Sequence, residues 1–387
     1  MKVLYVASNQ DLSGYHGGTI HVLAVTRELL RYDHQVHLVC QESAVRVPDI
    51  PHKAMVHSVK QRHPFLLCMA GPEIQELIER IKPDMVIERY YNFAGEAVLR
   101  ANQAGIPTIL EVNSPMIEYP GSWKTRADVL LFGALKRRRD RIARAASLII
   151  SPLEEIIDSH FHDKTRQTEW GADTELFDPA QFPDRDQLRL EKKVSPDEVV
   201  FVHFGSLRKW HGLVLLLEAF DTVRRQIQRP SRLFIIGPCA RVKRAQVTFV
   251  GAVPHPELPS WLKMCDIAVL PFSLEHHRYL ELGFFWSPLK VFETMSMELP
   301  LITLKHPRLA SILNTEDPVF FYDGTQDDLA DKMFAMTQNI QKHRQKAGRF
   351  RQRVQQHYSW RAHGEKLNQW ILEVGNSPQR TQRAQSE

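Results

Sequence analysis

The sequence predicts an α/β protein of two domains, each built on a parallel β-sheet flanked by helices. The chain has 387 residues, more than one ordinary hydrophobic core accommodates. Short apolar runs alternate with longer helical patterns along its whole length. The alternation pauses once, at residues 177–196, where Asp, Pro and Arg predominate and a linker is expected.

The first series of elements begins at the strand Val3–Ala7, which a glycine-containing loop and the helix Thr19–Arg31 follow. Its other predicted strands are His34–Cys40, Met85–Ile87, Thr108–Glu111 and Leu148–Ser151, and its other predicted helices are Glu73–Ile81 and Ala94–Ala104. Strands that alternate with helices in this way are typical of βαβ units, so we expect a parallel sheet.

The second series repeats the same alternation after the linker. Its predicted strands are Val199–Phe204, Leu233–Ile236, Val247–Val250, Ile267–Leu270 and Leu301–Thr303, and its predicted helices are Gly212–Arg225, Leu258–Met264 and Leu289–Met297. We therefore expect two Rossmann-like halves facing each other across a cleft, because ligands of open α/β sheets bind outside the carboxyl ends of the strands. A polar tail, residues 376–387, is expected to be flexible.

Composition limits the classes of function that the protein can have. A net charge of +5 suits an enzyme that handles phosphates but is too small for a nucleic-acid binder. The four cysteines are isolated, and no run of about 18 apolar residues is present. The first apolar run is expected to be a strand rather than a signal peptide. We expect a cytoplasmic protein, with peripheral contact to the inner face of a membrane as an option. The pair His276-His277 lacks a second-ligand spacing, and no metal site is predicted.

Residues 199–220 combine a buried strand, a glycine-containing turn and a helix. Two cations, Arg208 and Lys209, lie in that turn. Cations and free amides beside a helix N-terminus suit a diphosphate. An exposed basic turn explains the segment equally well.

Residues 283–297 form the second segment with a chemical signature. Ser287 is a predicted N-cap and Pro288 suits the first helical position. Lys290 and Glu293 fall one turn apart, so they offer a cation for phosphate and a carboxylate for sugar hydroxyls. A surface i,i+3 ion pair is the alternative, but the preceding Gly-Phe-Phe-Trp run favours a pocket.

Together these two segments resemble the glycogen-synthase-like retaining glycosyltransferases (group 1, family 4), which have a GT-B fold, and the subgroup with a Gly-Phe-x-x-Ser-Pro-x-Lys-x-Phe-Glu motif. The resemblance covers nearly the whole chain. It includes Gly17-Gly18, Glu169–Pro179, Phe204–Leu207, Trp210–Gly212, Val247–Val253, Asp266–Pro271 and His357–Trp360. It implies a first domain at 1–180 that the last helix (about 361–375) rejoins, and a nucleotide-sugar domain at 181–360.

The resemblance also implies a donor site for a UDP- or GDP-linked sugar, with no cofactor and no metal, because cationic side chains and a helix N-terminus take over the leaving-group charge. Glu293 would bind the ribose, Lys290 with Arg208 or Lys209 would neutralise the diphosphate, and the loop after Gly251 would contact the base. The donor-binding residues expected on this basis are Gly17, Gly18, Ser206, Gly251, Val253, Phe285, Ser287, Pro288, Leu289, Lys290 and Glu293.

Three departures from the family pattern affect the catalytic residues. Phe285 stands where relatives have the first of two glutamates, and Ser206 and His211 replace the usual cations of the phosphate loop. Asn113 stands where many relatives place a histidine, so its role is positional. Retaining transfer by front-face attack needs no enzymic base, because the departing phosphate can accept the proton.

The acceptor, a glycan or a lipid-linked molecule, is expected near Glu118 and Arg89, and a structural salt bridge explains Arg89 equally well. Residues 130–146 mix a cationic face with apolar side chains. Such a helix can lie on an anionic membrane, but a domain helix with a solvated basic face is the preferred interpretation.

Other functions stay open at this point. A nucleotide-sugar epimerase, a glycan phosphorylase and a non-catalytic GT-B scaffold would share the fold. A dinucleotide dehydrogenase is disfavoured, since no GxGxxG follows either first strand.

Overall fold

A computed structural model describes residues 1–44, 49–117, 123–206, 208–238, 243–274 and 284–376, without the side chains of residues 123–124. The chain divides into two compact units. Unit 1 comprises Met1–Trp170, Phe285–Ser287 and Trp360–Glu387, and unit 2 comprises Gly171–Phe284 and Pro288–Ser359.

Unit 1 is built on a parallel sheet. Its elements in chain order are β1 (Lys2–Val6), α1 (Gly17–Arg31), β2 (Gln35–Gln41), β3 (Met55–Val59), α2 (Gly71–Ile81), β4 (Met85–Tyr90), α3 (Glu96–Gln103), β5 (Thr108–Val112), α4 (Trp123–Leu130), α5 (Ala134–Ala145), β6 (Leu148–Ser151) and β7 (Thr165–Gln167). The described strands lie in the order β3-β2-β1-β4-β5-β6-β7. The central strand β1 is almost wholly buried, as expected where helices cover both faces of a parallel sheet.

Unit 2 repeats the architecture. It contains α6 (Arg185–Glu191), β8 (Val199–Phe204), α7 (Leu213–Gln226), β9 (Ser231–Ile236), β10 (Val247–Gly251), α8 (Leu258–Met264), β11 (Ile267–Leu270), α9 (Leu289–Ser296), β12 (Leu301–Leu304), α10 (Pro307–Leu313), β13 (Phe321–Tyr322), α11 (Gln326–Gln338) and α12 (Ile340–His357). Its described strands are all parallel, in the order β10-β9-β8-β11-β12-β13.

The last described helix, α13 (Trp360–Gly375), belongs to unit 1 and packs against α1. A Cβ added at Gly364 would come 2.6 Å from the Cβ of Glu28, so a glycine lets the two helices approach closely. His34, just before β2, shares a 2.9 Å hydrogen bond with the Asn368 side-chain oxygen of α13.

The predicted fold class is confirmed, since two Rossmann-like α/β units of parallel strands are present. The sequence missed β3, β7 and β13, which are short and border the sheets. It also missed α6, which lies inside the predicted linker. Residues 130–146 are not one continuous helix, because α4 ends at Leu130 and α5 begins only at Ala134. The predicted domain limits, 1–180 and 181–360, remain predictions.

Candidate functional site

Two glycines shape the carboxyl edge of the unit 2 sheet. Gly205 follows β8 with φ +96°, and Gly237 follows β9 with φ +146°. The Gly205 N–H donates to the Ile236 carbonyl over 2.8 Å. A Cβ added at Gly237 would come 2.1 Å from the Gly205 carbonyl oxygen, so any side chain there would push the two loops apart.

The side chain of Lys290 lies over Gly205. A Cβ added at Gly205 would come 2.6 Å from the Lys290 Cε, so the lysine occupies space that only a glycine leaves empty. The Lys290 Nζ lies 3.4 Å from the Ser206 carbonyl oxygen and 3.2 Å from the His211 Nδ1. Lys290 and Ser206, both predicted donor-site residues, are thus brought together.

Burial and crowding of positive charge shift the pKa values of this cluster. Burial lowers the pKa of Lys290 to about 7, against the opposing effect of Glu293. Burial, and then the Lys290 charge, lower the pKa of His211 to about 3. The same two causes hold the pKa of His203, inside β8, well below its usual value. The cluster therefore favours an anion, which would restore the charge of Lys290.

The predicted phosphate-loop cations lie at the surface. Arg208 and Lys209 are exposed, and the Arg208 guanidinium carbon lies 5.4 Å from the centre of the Trp210 ring. Arg208 is close enough to contribute to the lowered pKa of His211. Lys209 begins the short 3₁₀ turn that leads to α7.

Glu293 lies in the second turn of α9 and is buried. Its Oε1 lies 2.9 Å from the Nε2 of His255, whose ring packs 5.2 Å from that of Phe177. His255 follows the predicted base loop at Gly251 and Val253. Gly251 has φ +92° and nothing within 4 Å of an added Cβ, so its backbone faces open space. Sequence reasoning missed His255, which lies 38 residues from its partner.

The predicted N-cap role of Ser287 is wrong. The cap position of α9 is Pro288, with no side-chain hydrogen bond, and Leu289 is the first helical residue. The Ser287 hydroxyl instead donates to the Glu169 carboxylate and accepts a 2.8 Å hydrogen bond from the Trp170 N–H. The Trp170 N–H therefore occupies the acceptor oxygen that a cap would need, and both partners of this hydroxyl lie far away along the chain, at 117 and 118 residues.

Phe285, which replaces the family's first glutamate, packs against a hydrophobic cluster of unit 1 that includes Val112, Ile142 and Ile149. Its ring meets that of Trp286 edge to face at 5.0 Å. Phe285 therefore contributes apolar contact in this unit.

Three predicted residues of unit 1 lie at the carboxyl edge of its sheet or at a helix start. Gly17 and Gly18 form the first turn of α1 rather than a free loop, because His16 caps that helix by accepting from the Thr19 N–H over 3.3 Å. Asn113, just after β5, donates over 3.1 Å to the Glu111 carbonyl.

Arg89, the predicted acceptor residue at the end of β4, donates over 3.1 Å to the Asn9 side-chain oxygen and is almost fully buried. Its charge also helps to lower the pKa of the Glu111 carboxyl. Glu118, the other acceptor candidate, lies outside the described residues.

A buried polar network of unit 1 was not predicted. The Glu111 carboxylate accepts from the Tyr5 hydroxyl over 3.0 Å and pairs with the His21 Nε2. The His21 ring meets those of Trp170 and Trp360 edge to face. These residues come from distant parts of the chain, and no local pattern indicates their contact.

Among the described residues, no group of three or more His, Cys, Asp or Glu side chains could hold a metal ion. Within the same residues, no helix is both long and apolar enough to cross a membrane.

Two family models match the chain. Residues 198–339 match the model described as glycosyl transferases group 1, and residues 16–159 match the glycosyl transferase 4-like domain. A comparison with curated protein sequences gives no match.

Solved structures share the fold at low sequence identity. A glycosyltransferase from Rickettsia africae ESF-5 is 14% identical, with a TM-score of 0.73 over 97% of this chain and 99% of that one. The sucrose-phosphate synthase of Thermosynechococcus elongatus is 16% identical, with a TM-score of 0.70 over 96% of this chain and 98% of that one. Anabaena Alr3699/HepE in complex with UDP is 16% identical, with a TM-score of 0.68 over 97% of this chain and 100% of that one.

Two parallel-sheet units with these structural neighbours define the GT-B class of fold. Glycosyltransferase family models thus match a large part of each of these two units.

Proposed function

We propose that this protein transfers a sugar from a nucleoside-diphosphate sugar to a glycan or lipid-linked acceptor, with retention of the anomeric configuration and without a metal ion. The observation that supports it most is the half-buried Lys290 side chain over Gly205, beside two histidines that burial keeps neutral. The nucleoside-diphosphate sugars that such glycosyltransferases use as donors would bring a diphosphate to this cluster.

Lys290 would stabilise the leaving group. Transfer breaks the bond between the anomeric carbon and the diphosphate oxygen, so negative charge develops on that oxygen. The Lys290 ammonium and the backbone amides of Leu289 and Lys290, at the start of α9, present positive charge of the required sign. Arg208, exposed at the neighbouring turn, would add to it.

Glu293 would bind the ribose. His255 engages Oε1 of the carboxylate, an arrangement that fixes its orientation and directs Oε2 to a second partner. The open backbone at Gly251, with Val253 two residues further on, suits the flat face of a base.

The residues of unit 1 would serve the sugar and the acceptor. Gly17 and Gly18 would present the first amides of α1, Asn113 would position a hydroxyl, and Arg89 with Glu118 would contact the acceptor. In front-face transfer the departing phosphate oxygen accepts the proton of the acceptor hydroxyl, so no enzymic base is required.

UDP is the nucleotide to test first. Alr3699/HepE of Anabaena has the same fold and was solved with UDP and with UDP-glucose. GDP is the nucleotide to test second.

Calorimetric titration with UDP, GDP and their sugars tests donor binding. The wild-type protein should bind one of these series, and Lys290→Met should weaken that binding by about tenfold or more through loss of a charge-assisted contact. Lys342→Met, which removes an exposed lysine on α12 of the same unit, is the matched control and should leave binding unchanged. If no nucleotide or nucleotide sugar binds the folded protein, the proposal fails.

Product analysis separates transfer from the alternatives. A glycosyltransferase should transfer or slowly hydrolyse the bound sugar, and NMR of the first product should show the donor's anomeric configuration. An epimerase would instead return an altered nucleotide sugar, and a scaffold would bind the donor without turnover. Full activity in EDTA is expected, and a loss restored by Mg²⁺ or Mn²⁺ would contradict metal independence.

A further inference from the structure

Four consecutive apolar side chains project into solvent where α4 turns into α5. Val129 is 72% exposed, Leu130 78%, Leu131 50% and Phe132 88%. We name residues 129–132 the apolar turn. Single exposed apolar residues are ordinary on protein surfaces, but four in succession form a contiguous patch that indicates a binding surface.

The apolar turn has a defined conformation. The Asp128 carboxylate accepts from the Leu135 N–H over 2.8 Å and from the Lys136 N–H over 3.2 Å, so it ties the turn to the start of α5. The Gly133 N–H donates to the Asp128 carbonyl over 2.8 Å.

Phe132 is held in a conformation that phenylalanine rarely adopts. Its φ is +52°, in the left-handed region. The Arg137 guanidinium donates to its carbonyl over 2.6 Å. Hydrogen bonds around the turn therefore offset an unfavourable backbone conformation while the ring faces solvent.

The charge around the apolar turn is strongly positive. Residues 123–146 contain eight Lys or Arg and two Asp, a net charge of +6, which exceeds the +5 of the entire chain. One of the two carboxylates, Asp128, is buried in the turn. The cations with exposed side chains include Arg126, Arg137, Arg141 and Arg144.

Charge decides between the surfaces that the apolar turn could meet. A second copy would bring two segments of the same +6 charge together, which is unfavourable. A polyanion in water would satisfy the arginines but would leave four apolar side chains exposed. An anionic bilayer satisfies both, because apolar side chains enter the acyl boundary while cations remain among the headgroups.

We propose that the apolar turn inserts into the surface of an anionic lipid bilayer, with the basic face of α5 against the headgroups. The insertion is shallow, since the apolar part spans four residues and no described helix is long and apolar enough to cross a membrane. This inference concerns where the protein binds and does not depend on the proposed donor chemistry.

Flotation with vesicles tests whether the apolar turn inserts into an anionic bilayer. The full chain, without nucleotide, is mixed with vesicles of phosphatidylcholine alone or with phosphatidylglycerol added. Binding should require the anionic lipid and weaken as salt is raised. The double variant Leu130→Gln/Phe132→Asn should partition about tenfold less or lower still, because two apolar side chains no longer enter the bilayer. Asparagine tolerates the left-handed conformation, so the turn should be retained.

Two further variants make the comparison specific. Leu190→Gln replaces an equally exposed leucine, 79% accessible, on α6 of unit 2, and its vesicle binding should equal that of the wild type. Arg141→Gln/Arg144→Gln should weaken binding by roughly fivefold for each charge removed. Equal melting temperatures for all variants would show that the fold is intact.

Three results would overturn the proposal. The wild type could fail to bind anionic vesicles, or the Leu130→Gln/Phe132→Asn variant could bind them as the wild type does, which would leave a purely electrostatic surface. Sedimentation without lipid could also show a dimer that this variant abolishes, which would assign the apolar turn to a second copy of the chain.

Discussion

At the scale of single residues, Lys290 combines a close backbone approach with an unusual charge state. Gly205 provides the space for its side chain, and burial lowers its pKa to about 7. In the ligand-free protein a part of the population is therefore neutral near physiological pH. A bound diphosphate would raise the pKa again, because an opposite charge favours the ammonium.

Donor binding should accordingly depend on pH. Between pH 7 and 9 the complex binds a proton that the free protein has lost, so affinity for a UDP-sugar should fall by up to about tenfold per pH unit. Titration calorimetry in buffers of different ionisation enthalpy would detect the proton taken up. Lys290→Arg should abolish the dependence, because guanidinium stays protonated throughout this range. Equal pH dependence in both proteins would refute the assignment.

Substitution of Glu293 should test the proposed contact with the ribose hydroxyls. Glu293→Gln should weaken UDP binding by about 1–3 kcal/mol, since a charged acceptor for the ribose hydroxyls is lost. A 2′,3′-dideoxy nucleotide should bind the wild type and the variant equally.

The matched control for this pair of titrations is Glu257→Gln, an exposed change on the same turn as His255. It should leave both affinities unaltered. A loss in Glu293→Gln that is equal for the ribose and the dideoxy nucleotide would indicate a structural role for the Glu293–His255 pair.

At the scale of secondary-structure elements, Asp266 joins four elements at the amino edge of the unit 2 sheet. It precedes β11, accepts from the Val200 N–H of β8 over 2.9 Å, and pairs with Arg189 of α6 at 2.6 Å. Arg185 of α6 and Arg344 of α12 pair with its other oxygen at 2.7 and 3.0 Å. The polar sequence of α6 did not predict a packed helix because its burial depends on this ionic contact.

Asp266→Asn should destabilise unit 2 by about 3–5 kcal/mol, because it leaves the buried Arg189 guanidinium without its carboxylate. Asp186→Asn, on the same helix, is the control: its 3.4 Å pair with Arg185 is exposed, so the change should stay within about 0.5 kcal/mol. Urea unfolding followed by circular dichroism measures both. Similar midpoints for the two variants would contradict the role of Asp266.

At the scale of the whole molecule, buried histidines link stability to pH. Burial lowers the pKa of His21, His203 and His363, the last to about 4. These groups stay neutral in the folded state but protonate near pH 6.5 when the chain unfolds. Glu88 acts in the opposite direction, because burial raises its pKa to about 7.

Stability should therefore fall on acidification. Below pH 6.5 the unfolded chain binds protons at these histidines that the folded state does not bind, so the free energy of unfolding falls, and Glu88 offsets a part of that loss. Thermal unfolding at pH 7.0, 6.0 and 5.0 should give steadily lower midpoints. Constant midpoints over this range would show that the histidines titrate normally in the folded protein.

Most of the fold was predictable because its signals are local. Largely apolar runs such as Val199–Phe204 and Ile267–Leu270 match the strands residue for residue, since a parallel strand covered on both faces is predominantly apolar. The prediction was wrong where the role of a residue depends on a partner far away in the chain. The Ser-Pro pattern at Ser287 indicated a helix cap, but the hydroxyl is bound by Glu169.

The candidate site, too, was predictable only where its residues are close together in the sequence. Lys290 and Glu293 could be predicted from the sequence because they are three residues apart, and so could the glycine-containing turn after β8. His255 on Glu293, Lys290 above Gly205, and the His21–Glu111 pair could not, because each contact joins residues far apart in the chain.

By itself, the sequence determined two α/β units of parallel strands and a resemblance to GT-B glycosyltransferases, because periodicity and turn residues act over a few neighbours. Only the tertiary structure decided which polar groups are buried together, what their charge states are, and that the four side chains of the apolar turn face solvent. Burial and electrostatic environment depend on segments that only folding brings into contact.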